Sequence, residues 1–325
     1  MSAETTGMLA ALAPGFQRFL VVVALVIVAS VVLAIVGARA STPSTARRSR
    51  VVNRYILLTL LALIVLFPIY ITVVNSLLPP DRIVSRPPSL FPTDPDWSSY
   101  GDAWTDGNVG KYLFNSFVVT ALIVTGQLLT SILAAYSFAF LEFPFKRTIF
   151  VLFLTTMMIP FEVVFFTNLD TISTFGDVPT IGRYIGFDSY GALALPFLAT
   201  GFGAFLIRQS FLSLPKDLRD AAALDGYGHM RFLARVAVPL SRPAIASLAL
   251  FSFFAAWNQY LWPLVVTDED HRTVQVGLKF LRDASLDQIN DTFAGTVLAA
   301  IPLFVLLLVF QKQLVRGLTA GAVKG

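Results

Sequence analysis

The stretch with the most informative residue spacing is also one of the most polar: SLPKDLRDAAALDGYGHMRFLARVAVPLSRPAI, Ser213 to Ile245. Pro215 suits the first turn of a helix, where its missing N–H costs nothing. Asp217 and Asp220 lie near that N-terminus, where the helix dipole favours anions. Ala221, Ala222, Ala223 and Leu224 are strong helix formers, and Gly226 suits the left-handed residue that ends a helix. A second short helix, about His229 to Val238, follows before Pro239 and Pro243. The alanines leave a flat surface that another protein can approach closely, and Asp220 and Asp225 flank it with charge. This is chemistry for docking. By composition alone the same stretch also fits an amphipathic loop lying on a membrane, which Arg231 and Arg235 would favour.

Other residues offer ligand chemistry. Glu162, in MMIPFEVVFF just after Pro160, is an ionisable group inside or at the edge of an apolar segment. Such a group marks a functional position by default. It either hydrogen-bonds ligand hydroxyls or a water, or reaches the outer interface. Trp257, Asn258, Gln259 and Tyr260 join aromatic faces to amide donors, which suits a hydroxylated ligand; interfacial anchoring by Trp257, Tyr260 and Trp262 is the other reading. Only two histidines occur, His229 and His271, and there is no cysteine. Two isolated histidines are poor material for a metal site. No G-x-x-x-x-G-K-[ST] phosphate loop occurs, so the chain is not expected to bind ATP itself. No Ser-His-Asp or paired-carboxylate site stands out by spacing.

The elements that carry these residues are read from hydropathy. The chain has 325 residues, 56% hydrophobic and only 14% charged, with a net charge of +4. A soluble domain carries about 25% charge, so this is a membrane protein. Seven segments are long and apolar enough to span: Phe19–Val36, Tyr55–Val74, Phe117–Phe140, Ile149–Phe166, Tyr190–Ile207, Ile245–Val265 and Phe293–Phe310. The third is unusually polar, with Thr120, Thr125, Gln127, Thr130 and Ser131, residues that face other helices. Pro196 should kink the fifth. Lys and Arg placement sets the orientation. Arg47, Arg48, Arg50 and Arg54 put the start of the second span inside, and alternation then puts Lys146–Arg147, Arg208–Arg242 and Lys312–Lys324 inside as well. The acidic loops Leu77–Lys111, Asp170–Asp188 and Thr267–Thr292 fall outside. For the first segment, an outside N-terminus fits the charge bias; a cleaved signal peptide ending near Ala38-Arg39-Ala40 is the rival.

The run Leu218-Arg219-Asp220-Ala221-Ala222-Ala223-Leu224-Asp225-Gly226, followed by Pro239, resembles the EAA loop of ABC importer permeases. Asp220 stands where that family usually has Glu, which keeps the charge on a shorter reach. From about Arg54 to Gly325 the chain is similar to the sugar-type permeases, specifically the smaller subunit of maltose-type and glycerol-3-phosphate-type importers. AWNQYLWPLVVT (Ala256–Thr267) and RGLTAGAVKG (Arg316–Gly325) carry that likeness too. The resemblance implies an all-α polytopic fold with six core spans at 55–325, plus an extra N-terminal span and basic linker at 1–54. It implies cytoplasmic coupling helices at 213–240, with Asp220, Ala221, Ala222, Asp225 and Gly226 contacting the ATPase. The implied partners are a homologous second permease, an ABC ATPase dimer that holds the ATP and Mg, an extracytoplasmic binding protein that meets Thr267–Thr292, and the lipid membrane; nucleic acid is not among them. The implied cargo is a sugar, oligosaccharide or glycerol phosphate compound, carried across the bacterial inner membrane by alternating access. Glu162, Trp257, Asn258 and Gln259 are the candidate pathway residues. An ion-coupled secondary transporter would instead need intramembrane acids and internal repeats. A membrane scaffold would not need the cytoplasmic helix pair.

Overall fold

A computed structural model describes residues 28, 32, 43–85, 89–284 and 288–320, with backbone alone at 43–50, 284 and 312–320. The expected first span, Phe19 to Val36, lies outside the described residues apart from Val28 and Val32. Every regular element among the described residues is a helix. In chain order these are α1 (Pro43–Asn75), α2 (Ser98–Thr105), α3 (Val109–Phe140), α4 (Lys146–Thr155), α5 (Phe161–Gly176), α6 (Tyr190–Ala194), α7 (Gly201–Leu212), α8 (Lys216–Leu224), α9 (His229–Phe232), α10 (Arg242–Trp257), α11 (Leu261–Val266), α12 (Val274–Ala284) and α13 (Ile289–Ala320), with shorter turns between them.

Among the described residues three helices are long and apolar enough to cross a membrane: Val51–Asn75, Val109–Phe140 and Ile289–Gln311. Three helix pairs, each bent by more than 40° at a short break, reach that length and composition only when the two helices are taken together. The segment expected as one span at Ile149–Phe166 is two helices, Lys146–Met158 and Phe161–Gly176, set at 92°. Pro160 is the cause. It lacks an N–H, disfavours helical geometry in Ile159, and caps the second helix in extended conformation. The expected kink near Pro196 is present, as a 50° bend between Tyr190–Phe197 and Gly201–Leu212. The sixth segment starts at Arg242 and stops at Trp257 instead of running to Val265; α11 resumes after Asn258-Gln259-Tyr260. Asp-rich Thr267–Thr292, which shows no periodicity over its whole length, contains the amphipathic helix α12.

The chain divides into two compact units. In the first, comprising residues up to Gly107 and Leu281–Leu298, α1 exposes apolar side chains along most of its length, as a lipid-facing helix does. Its C-terminal end is pinned to α2: Ser99 Oγ donates to Ser76 O at 2.7 Å, and Asp96 N donates to Leu77 O at 2.8 Å.

The second unit, Asn108–Phe280 and Ala299–Gly325, is built around α3, which packs against α7 and α10. It holds separate apolar cores. One gathers Val119 and Ile123 of α3 with Phe165, Ile172, Leu193 and Trp262. The other gathers Ala135 and Tyr136 of α3 with Ile207, Phe211, Ala222 and Phe232. A third joins Tyr112, Trp257, Val274 and Ala299.

The candidate coupling site

The polar stretch after α7 folds as its residues dictate. Pro215 caps α8 with φ −56° and ψ 133°, and Asp217 lies in the first turn. Residues two apart on a helix are separated by about 200°. Ala222 is buried, 7% exposed, and faces the core of Tyr136, Phe211 and Phe232. Asp220 and Leu224 therefore share the opposite face, where Leu224 is 90% exposed. The inward alanine lets α8 sit close to the bundle, while the outward face offers an apolar side chain next to carboxylates. Among the described residues neither Asp220 nor Asp225 is held by an ion pair or side-chain hydrogen bond, so both carboxylates are available to a partner.

The end of α8 is set by geometry that only glycine adopts without strain. Gly226 has φ +75°. Tyr227 N donates to Ala222 O at 2.9 Å, and Gly226 N donates to Ala223 O at 3.0 Å. These two bonds make a Schellman motif, which satisfies the carbonyls a helix end leaves open. A Cβ on Gly226 would meet nothing within 4 Å, so the constraint on this residue is conformational and not steric.

The second helix of the pair, α9, is fixed to the end of α3. His229 Nδ1 and Tyr136 Oη lie 2.8 Å apart in a hydrogen bond. Phe232 meets Phe140 edge to face at 5.4 Å. The expected helix His229–Val238 begins at His229 and continues through a π-helical turn, Leu233–Ala237, into Val238–Leu240. Behind α8 a cavity of about 230 Å³ is lined by Tyr136, Arg219, Ala223, Tyr227 and His229, among others. The anchoring role of Tyr136 and His229 carries no local sequence signal, because the partners are 93 residues apart.

A family model described as "Binding-protein-dependent transport system inner membrane component" matches residues 113–320. The chain belongs to that family. Within it, the sn-glycerol-3-phosphate transport system permease protein UgpE of Yersinia pestis bv. Antiqua (strain Antiqua) is 34% identical over 281 residues, covering 84% of this chain and 97% of the relative. UgpE of Agrobacterium fabrum is 35% identical over 275 residues, covering 81% and 94%. A solved structure titled as a bacterial ABC transporter involved in the import of the acidic polysaccharide alginate has a chain of the same fold, with a TM-score of 0.70 at 23% identity over 84% of this chain and 98% of that one. This chain is thus a permease subunit of a binding-protein-dependent ABC importer, a multi-pass membrane component.

Within this permease the pathway candidates occupy different surroundings. Glu162 is exposed in the first turn of α5, at the flank of the inward row Phe161, Phe165, Leu169 and Ile172. Trp257 is 2% exposed; it stacks on Phe253 at 5.5 Å and its indole donates to Ala299 O at 3.2 Å. Trp262 is equally buried and donates to Ala192 O at 2.9 Å. Both indoles are therefore interior packing groups, not interfacial anchors. Asn258 is exposed and donates from Nδ2 to Phe254 O at 2.8 Å, which ends α10. Gln259 Oε1 is buried without a hydrogen-bond partner. No hydrogen bond among the described residues joins Glu162 to Asn258 or Gln259.

The loop expected to meet a binding protein is held firmly where it leaves α11. Asp188 Oδ1 accepts from the backbone of Asp268 at 3.0 Å and His271 at 3.2 Å. His271 Nδ1 lies 3.4 Å from Asp188 Oδ2 without hydrogen-bond geometry. Asn115 Nδ2 donates to Asp270 O and Arg272 O, and Lys111 pairs with Asp270 at 2.8 Å. The hydrogen bond from Lys111, reinforced by its charge, holds the Asp270 carboxyl below the usual carboxylate range.

Proposed function

We propose that this permease passes a glycerol phosphate compound or a related sugar through the inner membrane, driven by ATP that a separate ABC ATPase dimer hydrolyses with Mg. The observation that carries the coupling half of this reading is the outward face of α8, with Asp220, Leu224 and Asp225 exposed and Gly226 closing the helix. An apolar knob beside unpaired carboxylates fits a cleft with an apolar floor and a basic rim. Ala221 lets that cleft approach the helix backbone. The chain has no phosphate loop of its own, which supports a division of labour between permease and ATPase.

The substrate half rests on the relatives. They are named for sn-glycerol 3-phosphate transport, and this chain matches them over 97% and 94% of their own length. The pathway forms against a homologous second permease, and an extracytoplasmic binding protein delivers cargo to the pinned loop after α11. Glu162 and Asn258, both exposed, are the side chains here that reach toward that pathway. Reconstitution of the complex in liposomes tests the reading. Labelled sn-glycerol 3-phosphate should accumulate only with ATP inside the complex's ATPase compartment and binding protein on the opposite side. Accumulation of maltooligosaccharides in its place would move the cargo to sugars; uptake that ignores ATP would overturn the importer mechanism.

A further inference from the structure

Gln127, Thr130 and Ser131 of α3 lie between two of its apolar cores. Val119 and Ile123 belong to one core, Ala135 and Tyr136 to the other. Between them, Gln127 Nε2 donates to Phe197 O at 2.8 Å, and its Oε1 accepts from Ser252 Oγ of α10 at 2.5 Å. Thr130 Oγ1 lies 2.9 Å from both Leu198 O and Gly126 O, one proton shared between two carbonyls. Phe197 and Leu198 stand at the 50° bend between α6 and α7. Their carbonyls have lost the helical partners that the break removed. In a membrane such carbonyls must be satisfied by neighbouring helices. Close approach makes this possible: a Cβ on Gly126 would come within 2.6 Å of Leu198 Cδ2, and one on Gly203 would run into Ser131 Oγ.

The inner side of this polar waist is a single packed body. α7 joins α8 through only Ser213, Leu214 and Pro215, and Leu214 packs into the same core as Ala222. Arg208 Nε donates to Phe138 O at 3.1 Å, and Tyr136 holds His229. A push on α8 therefore moves α7 and the end of α3 together. Beyond the waist, α6 is held by a different core, through Trp262 and Leu193. Apolar contact is non-directional, whereas hydrogen bonds in a low-dielectric interior demand one alignment of donor and acceptor. Gln127 makes side-chain bonds to two other elements at this plane.

We propose that Gln127 is a positioning residue of the transport cycle, keeping α6 in step with the α7–α8 lever so that displacement of the coupling helices becomes a change at the α6–α7 bend. This rests on the importer reading above. Without the amide, the Phe197 carbonyl is left unpaired and the lever slips against the outer half-helix.

The chain has no cysteine, so two introduced thiols, Ser213→Cys on the inner body and Thr180→Cys on the outer side, can carry spin labels. The experiment uses the whole complex with its ATPase. The distance between the labels is measured by pulsed electron paramagnetic resonance without nucleotide and with Mg-ATP and vanadate, beside the rate of ATP hydrolysis. The wild-type background should show a nucleotide-dependent distance change. Gln127→Met should hydrolyse ATP but lose most of that change, with a roughly tenfold drop in coupling, the order expected from one buried carbonyl left unpaired. Ser252→Ala, which removes one arm only, should show a smaller loss and guards against a folding defect in the first variant. An unaltered distance change in both variants would overturn the proposal. So would parallel loss of assembly, hydrolysis and motion in both, which marks a purely structural role. A wild-type complex without any ATPase would overturn the importer reading itself, and this inference with it.

Discussion

At the scale of single residues, Gly226 carries the left-handed backbone on which the proposed coupling rests. A left-handed residue with a Cβ costs about 1–2 kcal/mol. Gly226→Val should unwind the Schellman end of α8 and raise the ATP hydrolysed per molecule transported, while the chain still inserts in the membrane. Gly228→Ala is the control: Gly228 has φ −75° and a Cβ there meets nothing within 4 Å, so transport should be unchanged. Asp220→Lys should also uncouple hydrolysis from transport, since it reverses the charge offered to the basic rim of a partner. Asp270 gives a pH prediction. Its carboxyl is depressed by the Lys111 hydrogen bond, so the pair contributes above the usual carboxylate range and is lost as pH falls through the lower folded value. Protection of the Asp268–Thr273 amides, corrected for intrinsic exchange, should hold at neutral pH and fall only in strong acid, whereas Lys111→Met should already lower it at neutral pH. The pair is exposed, so high salt should weaken it. The left-handed turn at Gly226 was legible because glycine adopts that dihedral without strain. The burial of Trp257 was not, because its partner, Ala299 O, is 42 residues away and nothing local announces it.

At the scale of elements, composition identified helices reliably and their straightness poorly. Hydropathy over about 20 residues marks α1, α3 and α13, which need no partner to satisfy their backbones. It cannot reveal that Ile149–Phe166 contains a 92° corner, although Pro160 is the visible cause. Helix α12 escaped the same reading because Val274, Val276 and Gly277 are buried within a loop whose overall composition is polar. The polarity of α3 was legible as helix contact, but its use in satisfying the Phe197 and Leu198 carbonyls required the bend to be seen. Packing at this level is tight. Ala222→Leu overfills the core beneath α8 and should cost about 1–3 kcal/mol, seen as a lower melting temperature of the complex. Gly203→Val would force α7 away from Ser131, and the expected outcome is loss of the assembled complex from detergent extracts.

At the scale of the whole molecule, the function proposed above has the chain carry a cytoplasmic event into the membrane. Helices α8 and α9 are fixed to α3 and α7, and their outward surface is left with exposed Leu224, Met230 and unpaired carboxylates. Such a surface fits the ATPase partner proposed above. The measurement that tests this most directly is purification of the chain from its native membrane in mild detergent, with identification of what accompanies it and assay of ATP hydrolysis. The expected result is an ABC ATPase and a second permease in fixed ratio, with the ATPase lost selectively when Leu224→Glu and Asp220→Lys are introduced together. Recovery of the chain alone, with transport driven by an ion gradient and indifferent to ATP, would contradict it.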